Sequence, residues 1–143
     1  MRPSLSFLVP LAVGAALLPA GSANALSMAP LALSTTSGYI QTSNPTQRSL
    51  KVTLEVRLQT MDGNVAVPAA QPLSEEEFLK LIRIRPRAFT LAPGQKRSLP
   101  YKIIDPEATP PLFLCSVANH SFYRLRVCSR WAGGASSARS VRP

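Results

Sequence analysis

Apolar and polar residues alternate without a break from Lys51 to Gln59, with Val52, Leu54, Val56 and Leu58 on one side. A period of two marks a strand buried on one face. Met61-Asp62-Gly63-Asn64 then reads as a turn. Upstream, Tyr39 to Thr42 predicts a shorter strand that stops at Asn44-Pro45, and Met28 to Leu33 an extended first strand whose Pro30 suits a sheet edge. Val65 to Val67 makes a short strand ended by Pro68. Ser74 to Leu81 fits a helical turn, with Ser74 as cap and Glu77 at the third position, or else a charged loop leading into a strand.

Leu81 to Arg85 alternates again and halts before Pro86. Ala88 to Leu91 and the turn Ala92-Pro93-Gly94-Gln95 follow. Arg97 to Ile104 places Leu99, Tyr101 and Ile103 on one face, and Pro100 assigns that strand to an edge or bulge. After a loop from Pro106 to Pro111, Leu112 to Cys115 is a brief extended stretch. Phe122 to Cys128 reads as the last strand, with Tyr123, Leu125 and Val127 opposite Arg124 and Arg126; Trp131 would close one end of the core. Many short strands separated by Pro and Gly predict an all-β fold, an immunoglobulin-like sandwich. The Cys…Trp…Cys framework of antibody domains and any long helix are missing from the sequence.

The first residues change the setting in which this domain works. Arg2, an apolar run from Phe7 to Leu18 and the small-x-small motif Ala23-Asn24-Ala25 form a secretion signal. The run is short for a membrane span, and no Cys follows it to take a lipid. The expected layout is a signal peptide over residues 1–25, one domain over 26–131 and a disordered tail over 132–143, rich in Gly, Ala, Ser and Arg. The mature chain is expected to be exported, with no stable membrane insertion after cleavage. The formal net charge of +9, carried mostly by Arg, would point to nucleic acid in a cytoplasmic protein. In an exported one it points to acidic proteins, carboxylates or anionic headgroups, and no nucleic-acid partner is expected.

Cys115 and Cys128 form an even pair in a disulfide-permissive compartment, open to a bridge or to two small buried hydrophobes. With one His, His120, they match no closed zinc pattern, so no metal or other cofactor is expected. Asn119-His120-Ser121 fits a glycosylation sequon but reads as a hairpin or loop tip. Glu75 to Glu77 reads as a solvated face or helix start. No nucleophile, base and orienting group come together in the sequence, which argues against an enzyme. Arg83, Arg85 and Arg87 line one face with Ile82 and Ile84 on the other, a solvated strand face or a recognition patch.

Three stretches in order resemble the N-terminal domain of the PapD-like periplasmic chaperones of pilus and fimbrial assembly. They are Ile40-Gln-Thr-Ser-Asn44-Pro45 with the alternating strand from Leu50 to Leu58; Ile84-Arg-Pro86-Arg-Ala-Phe89-Thr-Leu-Ala-Pro93-Gly94-Gln95; and Phe122-Tyr-Arg-Leu-Arg-Val127. The second is the most specific. The likeness covers residues 26–129. It implies a periplasmic chaperone that captures pilin-like subunits, immunoglobulin-like domains short of one strand, by adding a strand to their open groove. An outer-membrane usher is a further partner implied by the family. There, an Arg near the first strand and a Lys in the seventh hold the subunit's terminal carboxylate.

This chain departs from that pattern. Ala32 stands where the family's first-strand Arg is expected. Phe122 to Val127 matches the family's sixth strand, and Val127 leads into Cys128-Ser-Arg-Trp-Ala-Gly-Gly without a visible seventh strand or second domain. The single domain is therefore expected to be incomplete, with an ending that reads like translation past a frame change. Arg124 and Arg126 are the candidate carboxylate-binding residues. A register that sets Arg126 on the Lys position would require deleting a hairpin. Two other outcomes stay open: a stand-alone structural or adhesive surface module, and a truncated fragment without independent function.

Overall fold

The computed structural model describes residues 26–120 and 122–134. The expected signal peptide, Ser121 of the sequon and the tail from residue 135 lie outside the described residues.

Eleven elements follow one another: β1 (Ser27–Ala29), β2 (Ala32–Leu33), β3 (Ser37–Ser43), β4 (Leu50–Asp62), β5 (Val65–Pro68), α1 (Glu75–Leu81), β6 (Ile82–Ile84), β7 (Ala88–Leu91), β8 (Lys96–Ile103), β9 (Leu112–His120) and β10 (Tyr123–Trp131). One sheet has the order β1-β3-β8-β6. The other has the order β2-β10-β9-β4-β5, with β7 also on β4. These are the two strand groupings of an immunoglobulin-like sandwich. The all-β sandwich read from the sequence is the fold.

The expected first strand is two strands. Pro30 has no N–H for a ladder and a fixed φ, and there the chain leaves β3 and crosses to β10 in the opposite sheet. β4 begins at Leu50 and runs on to Asp62, so the expected turn shrinks to Gly63-Asn64, with Gly63 in the left-handed region at φ 62°. Ser74 decides between helix and loop: its Oγ accepts the Glu77 amide at 3.3 Å, three acids fill the first turn, and Phe78 is buried.

Pro100 lies on β8 between β3 and β6, not in a sheet-edge strand. The odd residues of β8 bond toward β3, since the Ile103 amide donates to Thr36, while the Ile104 amide donates to Leu81 on the β6 side. Pro100 therefore lacks its donor on the β6 side, where β6 has already ended at Ile84. The strand is an edge only at that point.

The largest correction concerns the last two strands. β9 is not a brief stretch ending at Cys115 but a nine-residue central strand. Leu112, Leu114, Ser116 and Ala118 face the core, while Phe113, Cys115 and Val117 are buried on the outer face. A strand buried on both sides has no polar alternation to betray it. β9 holds the sixth position, and β10, between β9 and the first strand, holds the seventh and closing one. Trp131 sits in the main core, 1% exposed, opposite Leu112 and Leu33.

Candidate functional site

β10 presents an unfinished edge. On one side it pairs with β9 along its whole length, from Tyr123 to Trp131. On the other, β2 covers only Arg130 and Trp131, in parallel. The Arg130 amide donates to Leu31 O at 2.8 Å on that side. Backbone groups of alternate residues point to opposite sides of a strand. The N–H and C=O groups of Arg124, Arg126 and Cys128 therefore face the open side, and those of Leu125 and Val127 are spent on β9. Among the described residues no strand occupies this edge. Such a row is a template for an added strand.

The side chains along the edge are sorted by the pleat. Leu125 and Val127 turn inward, half-buried against a small cluster of Leu26, Leu50, Val52 and Leu91. Arg124, Arg126 and Arg130 point outward and are exposed. Near the hairpin tip Phe122 is fully exposed, and Tyr123 is exposed beside it. None of the three arginines meets an acid among the described residues, whose ion pairs are Arg57–Glu55, Lys80–Glu76 and Arg87–Glu75. Buried Arg57 is engaged on one side: Nε donates to Glu55 at 2.9 Å and Nη1 to the carbonyls of Ala69 and Ala70.

Arg124 and Arg126, the two sequence candidates, stand opposite Asn119 and Val117, away from β2. The residue level with Ala32 is Arg130, whose Nε donates to Gln59 Oε1 at 2.9 Å. Arg130 lies outside the strand that alternation predicts, which ends at Cys128. Carrying the alternation of Arg124 and Arg126 two steps further would have reached it. Arg83 and Arg85 are exposed, but Arg87 leaves their row, pairs with Glu75 and lies 4.8 Å over the Phe78 ring.

The edge is held rigidly from behind. Cys115 and Cys128 are directly opposite on β9 and β10 and are joined by a disulfide with S–S 2.00 Å. Cys115 is fully buried. At the far end, Ser129 Oγ donates to Pro30 O at 2.5 Å and ties β10 to the crossover of the first strand. Among the described residues no three His, Cys, Asp or Glu side chains gather into a metal-binding group.

No protein-family model matches the chain, and no curated protein does so. Solved structures do. A chain from a chaperone–tip adhesin complex of CFA/I fimbriae biogenesis superposes with TM-score 0.55 at 8% identity, covering 75% of this chain and 56% of that one. The class 5 fimbriae chaperone CfaA gives TM-score 0.53 at 10% identity, covering 74% and 54%. The E. coli chaperone DraB gives 0.50 at 12%, covering 75% and 53%. The chain thus spans about half the length of the solved chains it matches. The resemblance to PapD-like chaperones holds at the level of the fold, although the third of the stretches that carried it, Phe122 to Val127, falls on the seventh strand and not the sixth.

Proposed function

We propose that this chain is a periplasmic chaperone-like module that binds fimbrial subunits by strand addition at the edge of β10. The observation that carries the proposal is the unpaired run beside Arg124, Arg126 and Cys128, with Leu125 and Val127 only half-buried beneath it. A β-rich subunit short of one strand would gain backbone hydrogen bonds there and receive alternate apolar side chains in its groove. The fold shared with fimbrial chaperones supports the reading. The disulfide and the Ser129–Pro30 bond pre-order the donor strand, which lowers the entropy cost of association.

The outward arginines serve two ends in this reading. Charges along an open edge discourage pairing with a second copy, because antiparallel β10 strands would bring like charges together. They also provide planar, two-pronged donors for a carboxylate. Arg124 and Arg126 remain the proposed carboxylate-binding residues, and Arg130, level with Ala32, joins them. The proposal includes export by residues 1–25, a domain over 26–131 and no chemistry at the site.

Refolding a denatured fimbrial subunit with the purified chain tests it. Size-exclusion chromatography should show a one-to-one complex. Arg126→Pro removes a backbone donor only on the open side and leaves the β9 ladder intact, so the variant should melt like the parent yet lose about fivefold or more in affinity, the net worth of one backbone hydrogen bond with the Arg126 side chain lost as well. A variant that binds as well as the parent, or a parent that forms no complex, sinks the proposal.

A further inference from the structure

The geometry points to a second surface, the outer face of the β1-β3-β8-β6 sheet around Arg83, Arg85 and Lys102, that rests against an anionic lipid bilayer. This goes beyond subunit binding and does not depend on it.

Arg83 and Lys102 are directly opposite on β6 and β8, both exposed, on the same face. Like charges in register destabilise a sheet, yet here a third cation is added. Arg85, also exposed, lines with them a shallow hollow of about 230 Å³ over Pro100. No ion pair among the described residues involves any of the three. Four of the seven acids are engaged elsewhere: Glu55 with Arg57, Glu75 with Arg87, Glu76 with Lys80, while Asp105 accepts the Ala108 amide. A surface that gathers cations without an ion pair among them is complementary to an extended negative partner.

The shape selects the partner. The cations lie on an open sheet face, next to exposed Tyr39, which is opposite Pro100 in the register and 70% exposed. Leu79 and Ile104, 53% and 41% exposed, flank the same arginines at the β6 edge. Cations ringed by a Tyr and aliphatic side chains match the layered polarity of a bilayer surface, where aromatic and aliphatic groups reach the headgroup level. An acidic peptide would need a groove to order it, whereas these cations lie on an open sheet face. The open edge of β10 belongs to the opposite sheet, so a domain resting on this face keeps that edge in solution.

Vesicle sedimentation tests the idea with the purified chain and two lipid compositions, phosphatidylcholine alone and phosphatidylcholine mixed with phosphatidylglycerol. The chain should sediment with the mixed vesicles only, and added salt should release it. Each basic side chain near an anionic surface is worth about fivefold in partitioning, so Arg83→Gln/Lys102→Gln should lose roughly thirtyfold. Lys51→Gln/Lys80→Gln removes the same charge from other surfaces and should change little. Equal binding to both compositions would mean that other apolar residues drive it, and equal loss in the two double variants would mean that net charge alone does. Either result overturns the proposal, as does absence of binding or a preference for soluble polyglutamate over the mixed vesicles. Subunit capture is scored separately, so the two readings fail independently.

Discussion

Replacing Asn44 by Ala should cost this domain about 4 kcal/mol, a large part of the 5–15 kcal/mol that keeps a domain folded. Asn44 is fully buried where β3 ends. Its Nδ2 donates toward the carbonyls of Arg48, Leu91 and Ala92 at 2.7, 2.9 and 3.2 Å. Its Oδ1 accepts from the Thr46 amide at 3.0 Å and from the Thr46 hydroxyl at 2.5 Å. One side chain thus clasps the β3–β4 turn to the end of β7 and joins the two sheets. Two amide hydrogens and two accepted bonds make about four net interactions of roughly 1 kcal/mol each. Ala leaves the backbone bonds of Asn44 with Gln95 and Gly94 in place, so the loss is of the clasp alone.

Urea unfolding followed by tryptophan fluorescence reads the effect, since Trp131 is in the core. With a slope of about 2 kcal/mol/M, the midpoint should fall by roughly 2 M while the slope stays unchanged. Asn44→Asp has the same shape and still accepts from Thr46, but it turns an oxygen toward three carbonyls. It should be at least as destabilising as Ala. A loss below about 1 kcal/mol in the Ala variant, or a benign Asp variant, would refute the clasp.

Two further effects follow from single contacts. Removing the bridge with Cys115→Ser/Cys128→Ser, which opens a loop of sequence separation 13, should cost about 3 kcal/mol in guanidinium unfolding under non-reducing conditions; an unchanged midpoint would contradict it. Ser74→Ala removes the cap that accepts the Glu77 amide and should lower stability by about 1 kcal/mol, whereas Ser74→Asp should recover most of it, both read from thermal melts; no difference between the two variants would argue against the cap.

Legibility in the sequence followed one-sided burial. β6 and the first half of β4 carry a buried and a solvent face, so alternation alone located them and assigned their core residues. The helix start was readable because capping is local chemistry between Ser74 and Glu77. β9 escaped the same test because both of its faces are covered, one by the core and one by Ala66 and Cys128. That one miss displaced the numbering of the strands, turned β10 into a sixth strand, ended it at Cys128 and hid Arg130. Arg124 and Arg126 were legible as a polar face. That their backbone groups meet no partner was not, because an edge is a property of neighbours.

From its residues alone, the chain determined an all-β sandwich, most strand positions, a turn within Met61 to Asn64 and the resemblance to fimbrial chaperones. All of these depend on periodicity, on turn chemistry or on motif order, which are written along the chain. The tertiary structure decided which strand is last, where the first strand changes sheets, whether the two cysteines face each other and which edge stays open. Each of these is a pairing between residues far apart in sequence. Its free energy comes from hydrogen bonds and burial across strands, and no local pattern encodes which strand will lie alongside.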